Sequence, residues 1–525
     1  MTERRNPPIE ELYARRWRIW AVAMTGLFMA LIDITIVNIT IPTLQRELDA
    51  GVDTVSWVLN AYNMVFAVVL VSMGRLADQF GRKRFFLLGL GLFTVGSLLC
   101  GLAGSIDALI AFRVVQGLGA GVLAPLALAL TTLIFPPQQR GLGIALLAVV
   151  ANVAAAIGPP LGGLLLEVAS WHWIFLVNVP IGMAGIAMAY RVMPETYDVE
   201  AGRRIDLVGM ALLGGSVFAL TYALVEGNDR GWGSTAIVGL FAASAVLAAG
   251  FALSQRYGRY PMLTRGLVRN RQFVGASVAF VLFGVGVMGQ LFMMVLLLTD
   301  LWGYSQLEAA FAIAPIPFLG LLVAPLVGRL ADRVPPRVLG IPAMLGMAGG
   351  LVWLASAPAE PHYLHVLPAL VLTGASMGAG FPAINVGAMA AVRGPELGLG
   401  SGIVNMSRQI GFSVGVALLV AVFTGAIDDN VGEARATAAR ETAAAGYAPG
   451  AREGLLRRAF TNPAEDGHRQ LDPHNAVERR VERLADGAAR DAFASAFRVA
   501  GLCVLLSVPF ALLMRRRPSD ARGAS

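Results

Sequence analysis

The chain alternates between long apolar stretches and short polar breaks. A helix needs about 20 mainly apolar residues to cross the hydrocarbon core of a bilayer. Fourteen stretches approach or meet this length, at residues 18–42, 55–74, 85–104, 108–132, 141–166, 173–193, 206–226, 235–255, 273–299, 308–328, 338–357, 364–389, 399–425 and 493–514. A backbone in hydrocarbon must satisfy its own hydrogen bonds, which predicts helices, whereas a barrel would show short alternating strands. The pattern therefore predicts an all-α polytopic membrane protein with fourteen transmembrane helices.

Composition agrees with this pattern. Hydrophobic residues make up 56% of the chain and charged residues 14%, against about 25% charged in an average soluble domain. The first apolar run follows a basic stretch, but it is too long for a signal peptide and no cleavage site follows it, so we expect an uncleaved first helix. The two cysteines, Cys100 and Cys503, lie inside apolar runs and indicate buried thiols rather than a disulfide framework.

Basic residues predict the orientation of the helices. With the N-terminus inside, the inner loops and both tails hold 26 of the 41 Lys and Arg residues, whereas the short outer loops hold only Arg46 and Arg230. Basic residues accumulate on the cytoplasmic side of membrane proteins. We therefore expect both termini in the cytoplasm, which an odd number of helices would not allow.

Residues 426–492 are too long and too polar for a short connection. They are rich in Ala and carry ten Arg and twelve acidic residues. Because long loops cross the membrane regardless of charge, the segment is expected outside, as a mobile extracellular loop. The alternative is that the stretch HNAVERRVERLADGAARDAF forms an amphipathic helix on the membrane surface.

An internal repeat divides the chain into two halves. The stretch GRLADQFGRKR (74–84) returns as GRLADRVPPRV (328–338), 254 residues later, and NVAAAIGPPLGG (152–163) aligns with NMSRQIGFSVGV (405–416) at an offset of 253. The two copies of the first pair end predicted helices 2 and 10, which are eight helices apart. Two adjoining six-helix halves would place them six apart, so we infer two inserted helices. Parallel halves around a midplane site are typical of one large transporter architecture. The predicted organisation is a cytoplasmic N-terminal tail (1–17), a six-helix half (18–193), two inserted helices (206–255), a second six-helix half (273–514) and a cytoplasmic C-terminal tail (515–525).

Four motifs carry a family resemblance. They are LIDITIVNITIP (31–42), GRLADQFGRKR (74–84), RVVQGLGAG (113–121) and GPPLGG (158–163). With them, the chain resembles a major facilitator superfamily transporter of the fourteen-helix drug:proton antiporter family. The resemblance implies export of hydrophobic or amphipathic drugs, often cationic, in exchange for protons by alternating access. A dedicated exporter of one endogenous metabolite, such as a siderophore, an antibiotic or a lipid, is the alternative, since only the cavity lining would differ.

Asp33 and Arg113 are the charged residues that the first and third motifs place inside apolar helices. Asp33 has no Lys or Arg within a dozen residues. At 1.5 Å per residue, Asp33 lies roughly 13 Å and Arg113 roughly 7–8 Å from the outer ends of their helices. In the family fold both helices line the central cavity, so we expect the two side chains to interact, directly or through water, and to couple protons. The alternative for Arg113 is snorkelling to the outer headgroups.

The second and fourth motifs imply moving parts. In the family, the 74–84 motif forms a cytoplasmic loop that latches the two halves, which assigns a gate role to Gly74, Asp78, Gly81, Arg82 and Lys83, and to Asp332 in the repeat. A basic inner loop that only sets topology is the alternative. The 158–163 motif is the antiporter motif, with a hinge or seal implied at Gly158, Pro159, Gly162 and Gly163. A plain proline kink with small-residue packing has the same pattern.

Further polar residues inside the predicted spans are weaker candidates. Glu226 is a secondary proton-coupling candidate, although an acid at the end of a span is more often interfacial. The candidates for lining the cavity are Asn38, Gln116, Gly117, Asn385, Asn405 and Arg408. Bonds between helices are the alternative for the asparagines, and cytoplasmic anchoring is the alternative for Arg408.

Other function classes lack their motifs. The sequence has no GK[ST] phosphate loop and no HExxH or paired-Cys metal motif, which argues against ATP-driven transport, a metal site and an enzyme. We expect no cofactor besides the proton gradient and no nucleic acid partner. The expected partners of a monomer are small hydrophobic or cationic substrates, protons and the lipid bilayer. The chain has a single Lys and many Ala and Gly residues, a composition typical of proteins from GC-rich bacteria. We therefore expect the protein in a bacterial cytoplasmic membrane.

Overall fold

The structure is a computed structural model that describes residues 6–40, 43–44, 47–50, 52–197, 206–258, 265–304, 306–331, 333–392, 396–460 and 475–514. Within them, fourteen helices are long and apolar enough to cross a membrane, which is the predicted number. We label them by their main segments as α1 (Arg16–Ile36), α2 (Val52–Phe80), α3 (Arg82–Cys100), α4 (Ile106–Ile134), α5 (Arg140–Val168), α6 (Asn178–Val192), α7 (Leu207–Arg230), α8 (Thr235–Tyr257), α9 (Arg271–Leu296), α10 (Pro315–Ala331), α11 (Pro336–Leu354), α12 (Tyr363–Met389), α13 (Leu397–Ala444) and α14 (Ala476–Leu505).

The stretch 74–84 is almost entirely helical. We predicted that α2 ends before this stretch and that a loop follows, and this prediction is wrong. Helix α2 continues to Phe80 and α3 begins at Arg82, so Gly81 alone separates them. Gly81 has a φ of +119°, a conformation that residues with a Cβ rarely adopt. Gly81 therefore forms a tight turn between the two helices, and we call the end of the bundle where α2 meets α3 the motif end.

Most of the described part of 426–492 is helical rather than a loop. Helix α13 continues to Ala444, a further helix spans Pro449–Phe460, and α14 begins at Ala476. Alanine is the strongest helix former, which favours this outcome. A small apolar cluster holds the three segments together, formed by Ala438, Leu455, Leu456, Ala459 and Val481. The amphipathic stretch after Asn475 is helical, as the alternative interpretation held, but it is continuous with α14 and packs on α13.

The helices form two six-helix halves with α7 and α8 added between them in sequence. The N-terminal half has a core that includes Phe66, Phe86 and Phe93, and the core of the C-terminal half includes Phe280 and Phe497. Helix α7 lies against α2 and α13, and α8 packs on α7. Burial distinguishes central helices from peripheral ones. In α4, 89% of an apolar 18-residue segment is buried inside the protein, whereas in α8 the share is only 17%.

Reciprocal hydrogen bonds join the two inserted helices. Ser216 Oγ donates to the carbonyl oxygen of Ser244, and Ser244 Oγ donates to that of Ser216, both at 2.9 Å. Both serines are buried. Because apolar helices gain no hydrophobic free energy by leaving lipid for each other, such bonds and small-residue contacts are what hold them together.

The packing of the halves follows the sequence repeat. A Cβ atom at Gly117 of α4 would lie 2.8 Å from the Tyr62 carbonyl oxygen of α2. In the second half, a Cβ at Gly374 of α12 would lie 2.6 Å from the Ile316 carbonyl oxygen of α10. Gly374 follows Gly117 by 257 positions and Ile316 follows Tyr62 by 254. The same close helix contact is thus built twice, as two parallel halves require.

The most extensive contacts between the halves are those of α2 with α13 and of α5 with α10. A Cβ at Gly402 of α13 would lie 2.9 Å from both the Leu70 carbonyl oxygen and the Val71 Cα of α2. At Gly328 of α10 a Cβ would collide with the Ala145 side chain of α5. Glycine therefore allows the two halves to touch backbone to backbone near the motif end.

Gly402→Val should weaken this contact between the halves. Overpacking a close interface costs about 1–3 kcal/mol, so we expect a lower melting temperature of the purified protein in detergent. Gly425→Val is the matched control on the same helix, because a Cβ there meets nothing within 4 Å. Equal melting temperatures for the two variants would contradict the close contact.

Candidate functional site

Asp33 and Arg113 form a buried ion pair between α1 and α4. Asp33 Oδ2 accepts a hydrogen bond from Arg113 Nη1, and Asp33 Oδ1 accepts one from Gln116 Nε2 at 2.8 Å. All three side chains are fully buried. The interaction predicted from their depths and from the family fold is present as a direct contact, whereas snorkelling of Arg113 to the surface is excluded by its burial.

The guanidinium of Arg113 is held on several sides. Its Nε donates to the Val58 carbonyl oxygen of α2 at 2.8 Å, and Nη1 also donates to Gln116 Oε1 at 2.6 Å. The ring centroid of Tyr62 lies 4.2 Å from Arg113 Cζ, a favourable cation–π distance. Arg113 Nη2 has no hydrogen-bond partner among the described residues. The site therefore binds the carboxylate tightly but leaves one donor of the cation unused.

The site is closed in this conformation. We expected Gln116 and Gly117 to line the cavity, but Gln116 is buried like Asp33, and Gly117 packs against Tyr62. Ser97 of α3 accepts from Gln116 Nε2 at 2.8 Å, which places the network inside the N-terminal half. Breaking such a pair by removing one partner typically costs about 3–5 kcal/mol, so a proton on Asp33 would change the energy of the whole network.

The C-terminal half contains a neutral counterpart of this network. Gln290 Nε2 of α9 donates to Thr373 Oγ1 of α12 at 2.7 Å, and both are buried. Gln290 follows Asp33 by 257 positions, and Thr373 follows Gln116 by the same number. We did not predict this pair, although extending the repeat alignment at that offset reveals it. The two halves therefore have a hydrogen bond at corresponding positions, and in the N-terminal half this bond is part of a charged network.

The gate motif forms a second buried ion pair. Asp78 Oδ1 accepts from Arg82 Nε at 2.9 Å, and both side chains are buried. Asp78 Oδ2 accepts from the Leu399 N–H at 3.2 Å, so the carboxylate also meets the first turn of α13 in the other half. A negative charge is stabilised at a helix N-terminus by the free N–H groups and the dipole. Gly74 is buried in α2, and Asp332 lies outside the described residues.

Glu195 supports the gate motif and was missed from the sequence. Its Oε1 accepts from the Lys83 N–H at 2.9 Å, and its Oε2 lies 3.5 Å from Arg84 Nε. Lys83 itself donates through Nζ to the Tyr190 carbonyl oxygen at 2.7 Å rather than to Asp78. Partial burial raises the pKa of Glu195, and its hydrogen bonds oppose that rise. The only sequence signal was an acid after α6, opposite three basic residues.

The antiporter motif packs against the helix that carries Asp33. Helix α5 is continuous through the motif. A Cβ at Gly158 would collide with Thr35 Oγ1 of α1, two residues from Asp33. Gly162 is buried and Gly163 partly buried, while the side chain of Pro159 lies outside the described residues. The motif thus brings α5 against the wall of the buried ion pair.

The remaining candidates lie apart from this network. Glu226 is paired with Arg230 Nε at 2.6 Å at the end of α7. Asn385 and Asn405 each donate to a carbonyl oxygen one turn earlier in their own helix. The side chain of Asn38 lies outside the described residues. Arg408 is within α13, with Nε buried and without a hydrogen-bond partner among the described residues.

The fold and the buried charges define a multi-pass membrane transporter. The family model of the Major Facilitator Superfamily matches residues 23–416. The chain therefore belongs to the major facilitator superfamily, as the motifs indicated, and it is a transporter rather than an enzyme.

The chain is similar to proteins that are named for drug resistance and for export. The chain is 34% identical to Multidrug resistance protein Stp of Mycobacterium tuberculosis (strain CDC 1551 / Oshkosh) over 398 residues, which cover 76% of this chain and 74% of Stp. It is 29% identical to the Tetracenomycin C resistance and export protein of Streptomyces glaucescens, covering 98% and 95%. The solved structure of the proton:xylose symporter XylE covers 97% of this chain and 99% of its own, with a TM-score of 0.60 at 12% identity. At that identity the likeness shows the fold alone.

Gly81→Ala should destabilise the gate motif. A Cβ at Gly81 would lie 2.6 Å from Glu195 Oε1, and a residue other than glycine at such a φ costs about 1–3 kcal/mol. We expect a lower melting temperature, whereas Gly91→Ala in α3, where a Cβ meets nothing within 4 Å, should leave it unchanged or raise it. A Gly81→Ala protein that melts with the wild type would show that the turn bears no strain.

Proposed function

We propose that this protein exports hydrophobic or amphipathic small molecules across the bacterial cytoplasmic membrane in exchange for protons. The observation that carries the proposal is the buried Asp33–Arg113 pair. A carboxylate in the apolar interior of a transporter is a proton carrier by its chemistry, because it is neutral when protonated and charged when not. Relatives named for drug resistance and for export support the substrate class and the direction.

Protonation of Asp33 would release the network. A neutral carboxyl group attracts Arg113 less, and one of its oxygens then carries a hydrogen that needs an acceptor. Arg113 already has one unused donor at Nη2, so loss of its counter-ion leaves the guanidinium under-satisfied in an apolar setting. The pair therefore has two states of different geometry, and α1 and α4 would shift relative to each other between them.

The gate motif supplies the second part of the mechanism. We propose that the motif end faces the cytoplasm, with both termini on that side. The Asp78–Leu399 hydrogen bond joins α2 to α13 there, so opening toward the cytoplasm requires it to break. The conformation described above, with the halves in contact at that end, then corresponds to a transporter closed to the cytoplasm.

The antiporter motif would limit proton leak. Gly158 lets α5 approach α1 beside Asp33, where the Thr35 side chain fills the place that a Cβ would take. Such close packing would leave no room for water along that face of the ion pair. Protons would then reach Asp33 only when the halves rearrange.

A narrow substrate range is the second candidate. The relative that aligns with 98% of the chain is named for one compound, tetracenomycin C, whereas Stp is named for multidrug resistance. Both candidates use the same gate and proton site.

Asp33→Asn should abolish proton-coupled efflux while the protein remains in the membrane. An amide cannot carry a proton between the two sides, so we expect substrate movement driven by a pH gradient in proteoliposomes to fall to the level of empty vesicles. Asp491→Asn is the control, since that carboxylate is exposed. Efflux in Asp33→Asn at the wild-type rate would remove Asp33 from the mechanism.

Expression in a pump-deficient bacterium tests the substrate range. A panel of unrelated dyes and antibiotics should give resistance to several members if the protein is a multidrug exporter. Resistance to a single compound would favour the dedicated exporter. No resistance to any member, with the protein present in the membrane, would contradict drug export.

A further inference from the structure

Arg408 is a charge deep in the bundle. It follows Leu397, the first residue of α13, by eleven positions, or about 16 Å at 1.5 Å per residue. The apolar core of a bilayer is about 30 Å thick, so this depth is near its middle. A charge there is expensive and faces a partner or a water-filled space. The position 253 residues earlier, in α5, is Ala155, so this charge belongs to the C-terminal half alone.

The described residues leave the Arg408 side chain without a partner. Among the described residues, no carboxylate lies within ion-pair distance of it, and its Nε is buried without a hydrogen-bond partner. The residue as a whole is nevertheless only partly buried. Deep inside a transporter, a guanidinium that the described residues leave without a partner is available to a ligand.

The position of Arg408 on α13 directs it toward the other half rather than toward lipid. Ser401, Asn405, Arg408 and Phe412 share one face of the helix by their spacing of four, three and four residues. Ser401 Oγ donates to the Pro125 carbonyl oxygen of α4 at 2.8 Å. That bond places this face of α13 against the other half at Ser401, and Phe412 of the same face lies by Phe381 of α12, so we infer that Arg408 between them faces the space between the halves.

The same bond relates Arg408 to the Asp33 network. Helices α4 and α13 run in opposite directions under the proposed topology. From the Ser401–Pro125 contact, Arg408 lies about 10 Å along α13, and Gln116 lies about 14 Å along α4 in the same direction. The unpaired cation of one half is thus at a depth similar to that of the proton site of the other half.

A cluster of aromatic rings begins one helical turn from Arg408. Phe412, one turn further along α13, lies 6.2 Å from Phe381 of α12 between ring centroids. Phe381 contacts Phe280 and Phe283 of α9 edge to face at 5.6 and 5.7 Å. Phe280 and Phe283 are buried, whereas Phe381 and Phe412 keep exposed surface. The two exposed rings therefore have a rigid backing and offer surface to a planar molecule.

We propose that Arg408, Phe381 and Phe412 form a substrate subsite for an aromatic ring system that bears a carboxylate or phenolate. Arginine pairs with a carboxylate through two parallel hydrogen bonds, and its plane stacks on aromatic rings. Phenyl rings bind a flat ring system by offset or edge contacts. This assignment rests on the proposed export function for its use in transport, and it departs from the cationic substrates that the motifs implied.

Binding of two xanthene dyes to the purified full-length protein in detergent tests the subsite. Fluorescein is an anion with a carboxylate and a phenolate, and rhodamine 123 is a cation with the same ring system. In Arg408→Gln the Kd for fluorescein, from fluorescence anisotropy, should rise about tenfold or more, the loss expected from a charge-assisted hydrogen bond. The Kd for rhodamine 123 should change by less than about twofold, since only ring contacts remain.

Two further variants distinguish a loss of ligand contacts from a folding defect. Arg408→Lys keeps the charge but not the paired donors, so its Kd for fluorescein should lie between those of the wild type and Arg408→Gln. Arg498→Gln removes an exposed arginine of α14 and should leave both Kd values unchanged. Fluorescein binding by Arg408→Gln at the wild-type Kd, or a wild type that binds rhodamine 123 but not fluorescein, would overturn the proposal. Binding needs no proton gradient, so this result is independent of whether Asp33→Asn loses efflux.

Discussion

The free-energy cost of removing a charge from water decides where the buried ionised side chains of this protein lie. Asp33 and Arg113 satisfy each other between α1 and α4, and Asp78 and Arg82 do so between α2 and α3. In both pairs the second carboxylate oxygen has a donor of its own, from Gln116 or from the Leu399 N–H. Arg408 departs from this arrangement because the described residues give it no counter-ion. The two filled sites maintain the structure at rest, and the unfilled one is where a solute can add the missing charge.

Helix α2 connects the two ion pairs. Near one end its Val58 carbonyl oxygen accepts from Arg113, and near the other end it carries Asp78, whose carboxylate meets α13. Between them, Leu70 and Val71 lie against Gly402 of α13. A change in the Asp33–Arg113 pair therefore acts on a helix that also forms the contact between the halves. The proposed exchange mechanism needs this physical continuity, because protonation of Asp33 would have to affect the end where the bundle opens.

Long-range patterning in the sequence was sufficient to predict the architecture. Hydropathy predicted fourteen helices, because the membrane imposes the length and apolarity of each span, and the two GRLAD stretches predicted the repeat. Counting residues from the helix ends, together with the family resemblance, predicted the interaction of Asp33 with Arg113. Local detail was harder to predict. The 426–492 segment is rich in Ala, which favours a helix, but its polarity favoured the prediction of a loop. The stretch around Gly81 also has the composition of a loop, whereas it is a turn of a single residue. Glu195 and the closed state of the site depend on side-chain packing across helices, which periodicity does not encode.

Helix α13 has a property that its membrane span alone would not give. Its 48 residues run without interruption from Leu397 to Ala444, about 70 Å at 1.5 Å per residue. One end begins beside the Asp78 carboxylate, and the other end packs in the apolar cluster around Leu455 and Val481. A rod of this length is a lever: a tilt of about 10° about the first end displaces the far end by about 12 Å. A small rearrangement at one carboxylate would thereby become a movement of about one helix diameter at the far end of the rod.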